Sequence, residues 1–215
     1  MKKSLSFLLL IIFGFSFCQI NVEEIKKNVT ENPQKYYDDY LKTFKTNPSN
    51  LSQDEMNQLY YGSRFVDTGY GMSLFNQDYD EIWKIASRKG LSKSKAQKIR
   101  IKAEDAYHKA PLNLEILTSM VNIYNAIGEK AKVEICKLQN NRIIKTIDES
   151  GTGKTESSPI CVITAGDMIS FAKPVMMMGR AFKQKDLKTD DSCMLTEYSN
   201  GSTSLFVKCI GCLNF

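Results

Sequence analysis

The chain has 215 residues, 42% of them hydrophobic and 25% charged, and this composition excludes disordered and collagen-like proteins. The formal net charge is +5, and the single histidine, His108, excludes a metal site built on two histidines. Six cysteines are too few for a domain held together mainly by disulfides.

The first 18 residues have the pattern of a secretory signal peptide. Two lysines precede an apolar run over residues 5–17, which is too short to span a bilayer. Cys18 is a small residue at the position before cleavage, so we expect the mature chain to begin at Gln19. We predict an exported protein, periplasmic or secreted, with no transmembrane span in the mature chain and no nucleic-acid partner. A lipid anchor at Cys18 and a retained membrane anchor are the alternatives, and the bulky Phe17 disfavours the lipid anchor.

Residues 19–148 have the spacing of amphipathic helices. Ser52 and Glu55 have the spacing of a capping box, and Gly128 separates the last two helices. On the helix over 78–89, Trp83 is expected to face inward with its apolar neighbours. The predicted helices cover about residues 33–46, 52–61, 78–89, 92–109, 112–126 and 130–147.

The last two of these helices resemble a tetratricopeptide-type hairpin. Leu117, Tyr124 and Gly128 have the spacing that this repeat uses in its first helix and turn. The resemblance implies a degenerate, repeat-like stack of helical hairpins, each of which must bury its apolar face against a neighbour.

Residues 149–215 change to a β pattern. Strands are predicted over residues 160–164, within 174–182, and over 194–198 and 204–209, where Asn200-Gly201 is a hairpin signal. A helical turn is expected over 167–172. The predicted class is therefore α+β, with N-terminal stacked helical hairpins followed by a small antiparallel β C-terminal portion. The expected regions are 1–18 (signal peptide), 19–148 (helical) and 149–215 (β-rich, packed on the helices).

The joint between the two patterns carries a family resemblance. The segment Gly151-Thr152-Gly153-Lys154, then the strand Ile160–Ile163, then an acidic turn at Asp167, resembles the signature region of exported Bacteroidota proteins known as domain of unknown function 4919. The segment Leu59–Gly62 resembles the aromatic–glycine segment of that family. The chain departs from the pattern at Ala165-Gly166. The family has no established activity, so the resemblance implies export and lineage and no mechanism.

The glycines of the joint do not form a phosphate-binding loop. That motif requires a glycine five positions before Gly153, where this chain has Asp148, and it requires a strand before the loop and a helix after it. Here a predicted helix precedes and a predicted strand follows. We expect an ordinary turn and no nucleotide, metal or other cofactor.

Three cysteines near the C-terminus are candidates for a disulfide. Cys209 and Cys212 form a C-x-x-C pair, but only three residues follow, so no helix can stabilise a reactive thiolate there. We predict a structural bridge between Cys193 and either Cys209 or Cys212. Buried thiols, and a metal or redox site that includes Cys161, are the alternatives.

A basic segment is the first candidate contact surface. Nine basic and two acidic residues lie between positions 84 and 109. The pattern suits an anionic lipid, an acidic polysaccharide or an acidic protein partner, and the alternative is a solvated helix face. The predicted contact residues are Lys93, Lys95, Lys98, Arg100 and Lys102.

Aromatic residues beside a Gly-rich loop are the second candidate surface. Tyr60, Tyr61 and Tyr70, with Arg64, lie close together in the sequence. Such rings stack on sugars in some proteins, and more often they complete a helix-packing core. Both interpretations remain open at this stage.

The leading functional hypothesis is a non-enzymatic exported module that binds a protein or an anionic envelope component. No catalytic residues are predicted. A hydrolase of cell-envelope material, with an acid pair or a Cys–His pair formed only in three dimensions, is one alternative, and a secreted structural protein is another.

Overall fold

The architecture is a set of eight α-helices and one four-stranded sheet within the residues that the computed structural model describes, which are 20–66, 77–177, 182–189 and 193–211. The helices are α1 (Val22–Glu31), α2 (Asp39–Thr46), α3 (Gln53–Gly62), α4 (Gln77–Ala86), α5 (Lys93–Lys109), α6 (Leu114–Ile127), α7 (Lys130–Asp148) and α8 (Ala165–Met177). The strands are β1 (Ile160–Val162), β2 (Lys183–Thr189), β3 (Cys193–Ser199) and β4 (Ser204–Ile210). The predicted α+β class is confirmed.

Local signals set the ends of several helices. The Ser52 hydroxyl accepts a hydrogen bond from the Glu55 amide (3.2 Å), and the Glu55 carboxylate accepts one from the Ser52 amide (2.7 Å), so the predicted capping box is confirmed. The Ser92 hydroxyl caps α5 by accepting a hydrogen bond from the Lys95 amide, without a reciprocal bond. A π-helical turn over Gln34–Asp38 leads into α2.

The sheet has the order β1-β4-β3-β2 and is mixed. Strands β2, β3 and β4 pair antiparallel, and Asn200 closes the predicted hairpin by accepting hydrogen bonds from the amides of Ser202 and Thr203. Strand β1 instead pairs parallel to β4, with Val162 opposite Cys209. A parallel pair requires a long crossover, and here α8, β2 and β3 supply it.

Residues 174–177 of the segment predicted to contain a strand are helical, because α8 continues through Pro174 to Met177, and residues 178–181 lie outside the described residues. The buried residues Met168, Ala172 and Val175 recur at four and three positions, which is a helical period, and they pack into the same apolar cluster as the sheet. Strand β2 was not predicted, since its sequence is charged. Its position at the edge of the sheet explains that composition, because charges protect an edge strand from pairing with other chains.

Two apolar clusters form the interior. The first contains residues of α1, α2, α3, α8 and the sheet, with Leu114 and Leu117 from α6 and Ile143 and Ile147 from the second half of α7. The other contains residues of α4, α5 and α6, with Val133 and Cys136 from the first half of α7. Helices α6 and α7 therefore contribute to both clusters. The region boundaries at 148/149 and the tetratricopeptide-like assignment stay predictions.

Trp83 does not face inward as predicted, since 39% of its surface is exposed. The buried positions of α4 are Ile82 and Ala86, four residues apart, and Trp83 lies about 100° around the helix from Ile82. Trp83 is therefore exposed beside Lys84, which is also exposed.

Gly128 provides a test of the turn between α6 and α7. Its φ of +86° is left-handed, and a methyl group added there would meet no atom within 4 Å. We expect Gly128→Ala to lower the free energy of unfolding by about 1–2 kcal/mol through backbone strain alone. Urea denaturation measures this change.

The matched control is Gly166→Ala, inside the first turn of α8, where an added methyl would meet only the Thr164 hydroxyl oxygen at 3.7 Å. That variant should be unchanged or more stable by up to about 1 kcal/mol. Equal destabilisation of both variants would contradict the assignment of strain to Gly128.

Candidate functional site

The predicted aromatic surface is buried at the end of α3. Tyr60 and Tyr61 are fully buried, and their rings pack edge to face with centroids 4.9 Å apart. Arg64 follows in a short 3₁₀ turn, and its guanidinium donates to the carbonyl oxygen of Gly211. Tyr70 lies outside the described residues. The two buried rings take the packing role, because their faces are closed to a sugar.

The Tyr60 hydroxyl reaches across the molecule to a buried carboxylate. It donates a hydrogen bond to Asp167 Oδ2 at 2.9 Å, and only 5% of the Asp167 surface is exposed. Asp167 lies in the first turn of α8, where its amide donates to the Thr164 hydroxyl at 2.9 Å. The contact therefore joins α3 to the start of α8.

Tyr61 makes the neighbouring connection to the sheet. Its hydroxyl donates to the carbonyl oxygen of Cys161 on β1 at 3.0 Å. The Cys161 amide in turn donates to the Ser150 hydroxyl at 2.7 Å, just after α7. The two tyrosines thus satisfy buried polar groups on two different elements, as buried acceptors require.

Burial raises the pKa of Asp167 to about 6, and hydrogen bonds from Thr164 and Tyr60 oppose that rise. Glu115 at the start of α6 adds to the rise by repulsion. The pKa of Glu115 is itself raised, first by burial and then by Asp80 on α4. Since Asp167 is closed to solvent, its chemistry is that of a buried structural acid and not of a proton donor to a bound substrate.

The sequence contained a partial signal for Asp167. Thr164 and Asp167 have the spacing of a helix cap, and a strand precedes them. Nothing local to the sequence identifies Tyr60 as the partner, because 107 positions separate the two residues.

The Gly-rich joint uses its amides internally. The Thr152 amide donates to the Ser158 hydroxyl (3.0 Å), and the Gly153 amide donates to the Ser158 carbonyl oxygen (2.8 Å). The Gly153 carbonyl oxygen accepts from the Phe206 amide, which fixes the loop against β4. A helix precedes this loop and a strand follows it, which is the reverse of a phosphate-binding loop.

The four cysteines that the structure describes lie on α7, β1, β3 and β4. Cys209 is disulfide-bonded, while Cys212 lies outside the described residues, so the bridge expected among Cys193, Cys209 and Cys212 stays a prediction. Cys136 and Cys161 are buried free thiols. Burial raises the pKa of each to about 11, which disfavours a reactive thiolate at neutral pH.

Within the described ranges, no group of three or more His, Cys, Asp or Glu side chains is placed to hold a metal ion. His108 is exposed near the end of α5, with its ring centroid 6.1 Å from that of Tyr107. The predicted cleavage residues, Cys18 and Gln19, lie outside the described residues.

The five predicted contact residues of the basic segment lie on two sides of α5, whose buried face is Ala96, Ile99, Ala103 and Ala106. Lys95, Lys98 and Lys102 recur at three and four positions and form one stripe, and Lys102 pairs with Glu81 of α4. Lys93 and Arg100, seven positions apart, follow the opposite side, where Arg100 Nε lies 3.8 Å from Glu104 Oε2.

A different subset of basic residues forms the candidate contact surface, which we name the basic cluster. Its six members are exposed and lie at the end of α4, in the turn after it and in the first half of α5, with no acidic residue between them in the sequence. None of the six has an ion pair with any residue that the structure describes. The members are Lys84, Arg88, Lys89, Lys93, Lys95 and Lys98.

Comparison with known proteins identifies one family model. The model described as "Domain of unknown function (DUF4919)" matches residues 23–195, which include both segments that carried the resemblance. The chain matches no curated protein and no solved structure. Export and bacterial lineage stay predictions.

Asp167 generates a pH-dependent prediction. The pKa of Asp167 in the folded state is above the unfolded value of 3.8, so the folded state binds more protons than the unfolded state does. The stability of the fold is therefore lost as the pH rises through about 6. Between about pH 5 and about pH 7.5 the wild type should lose about 1–2 kcal/mol more stability than Asp167→Asn, whose amide cannot ionise. Denaturant titrations at the two pH values measure the difference.

The control is Glu31→Gln, which removes an exposed carboxylate at the end of α1. It should follow the wild-type pH profile. If Asp167→Asn follows that profile as well, Asp167 is not the group that links stability to pH.

Proposed function

We propose that this chain, which belongs to the DUF4919 family of unknown function, is an exported, non-enzymatic module that binds an anionic partner through the basic cluster. The observation that carries the proposal is that none of these six cations forms an ion pair with a described residue. Export rests on the signal-peptide pattern of residues 1–18.

The charge pattern changes abruptly along α5. In its second half, Arg100 pairs with Glu104, and Lys109 Nζ lies 2.7 Å from Asp105 Oδ2. In its first half, the lysines have no such partners among the described residues. Cations that serve only to solvate a helix are commonly mixed with acids, as they are in the second half of this helix.

The arrangement is also unfavourable for the helix. Lys93 and Lys95 occupy the first turn of α5, which contains no acidic residue, so they lie at the positive end of the helix dipole. Each such cation costs about 0.3–1 kcal/mol. Residues that lower stability are more frequent at functional positions. Here an anionic partner would offset the repulsion between the two lysines and the positive end of the helix dipole.

The partner chemistry follows from the concentration of charge. Six exposed cations without ion pairs within 15 residues of the chain raise the local concentration of anions, and the attraction decreases with ionic strength. Their side chains are exposed, which suits a polyanionic surface or chain more than a small molecule that needs a cleft.

The test uses heparin as a soluble polyanionic probe. The variant Lys93→Glu/Lys95→Glu/Lys98→Glu should lower heparin affinity at least about tenfold at low salt, because three attractive contacts become repulsive. It should also elute earlier in a salt gradient. Two of the three changes place an acid in the first turn of a helix, which favours folding, so loss of binding would not reflect unfolding.

The control variant is Lys27→Glu/Lys42→Glu/Lys130→Glu, which changes the net charge equally at three exposed lysines on α1, α2 and α7. Its retention should stay close to that of the wild type. Equal losses in the two triple variants would show a response to net charge alone and would contradict the assignment to the basic cluster.

A further inference from the structure

We propose that the anionic partner is a lipid-bilayer surface, with Ile101 entering the interface while the basic cluster lies over the headgroups; this inference rests on the proposed function. It adds an apolar contact to the electrostatic one. The two contributions can be removed separately, which makes the inference testable apart from the proposed function.

Ile101 is the apolar component of this surface. It is 72% exposed, and it lies about 200° around α5 from the buried Ile99, on the side opposite the core. Lys98 lies one turn before it on the same face. A single exposed aliphatic side chain is ordinary on a protein surface, but here it lies next to Lys98, which has no ion pair with a described residue.

The carboxylates of this helix do not oppose an anionic surface. Asp105 is paired with Lys109. Glu104 lies 3.8 Å from Arg100 Nε and 3.5 Å from Lys132 Nζ, and it also accepts a hydrogen bond from the Tyr124 hydroxyl. The two carboxylates of α5 therefore have cationic partners, whereas the six cations of the basic cluster form no ion pair with a described residue.

The geometry fits contact at the interface. Lysine side chains place their aliphatic stems along an apolar surface and their ammonium groups in the headgroup layer. An isoleucine beside them can enter the layer below, as apolar residues of amphipathic helices do. No helix in the described part of the chain is long and apolar enough to cross a membrane. An acidic protein or polysaccharide would use the lysines but would gain little from Ile101.

The experiment measures co-sedimentation with vesicles of phosphatidylcholine alone or mixed with phosphatidylglycerol, alongside heparin retention. The wild type should bind only the mixed vesicles. Ile101→Ser should lower that binding about threefold, by removing apolar burial, and leave heparin retention unchanged. The control Ile144→Ser, at an exposed position of α7, should change neither measurement.

The outcomes separate the two proposals. Binding of heparin without binding of the mixed vesicles, or an Ile101→Ser variant that binds vesicles as the wild type does, would overturn the membrane inference and leave the proposed function standing. An equal loss on heparin and on vesicles for Ile101→Ser would also overturn the inference. If the triple lysine variant retains both activities, the proposed function fails as well.

Discussion

The hydrogen bond from the Tyr60 hydroxyl to the buried Asp167 carboxylate joins two elements that are 107 positions apart in the chain, inside the apolar cluster that they share. It connects the end of α3 with the start of α8, and Tyr61 makes the adjacent contact to β1. A buried carboxylate is costly unless donors reach it, and here Tyr60 and Thr164 supply them. With these polar groups satisfied, the rings and the strands can share one apolar cluster around them.

Helices α6 and α7 connect this part of the molecule to α4 and α5, since each of the two contributes residues to both apolar clusters. The second cluster fixes α4 and α5 through their inner faces and leaves the outer faces exposed. The basic cluster therefore lies on elements that pack into the second apolar cluster, whereas the buried tyrosine pair belongs to the first.

Much of the fold could be predicted because its signals are local. The Ser52–Glu55 cap, Gly128 and Asn200-Gly201 act within a few residues, and each is found where the sequence placed it. The errors occurred where tertiary packing decided the outcome: Pro174 is accommodated inside α8, β2 is a charged edge strand, and Trp83 is partly exposed. For the candidate site, the sequence identified the basic segment but not which of its residues form ion pairs. Ion pairs such as Lys102–Glu81 depend on how α4 packs on α5.

The central claim is that the basic cluster is the surface through which this protein binds. Hydrogen exchange of the full chain with and without heparin tests it most directly, because the method reports where a ligand protects the backbone. The account predicts protection confined to the end of α4, the following turn and the first half of α5, over residues 84–101. Protection elsewhere, with these residues unchanged, would contradict it.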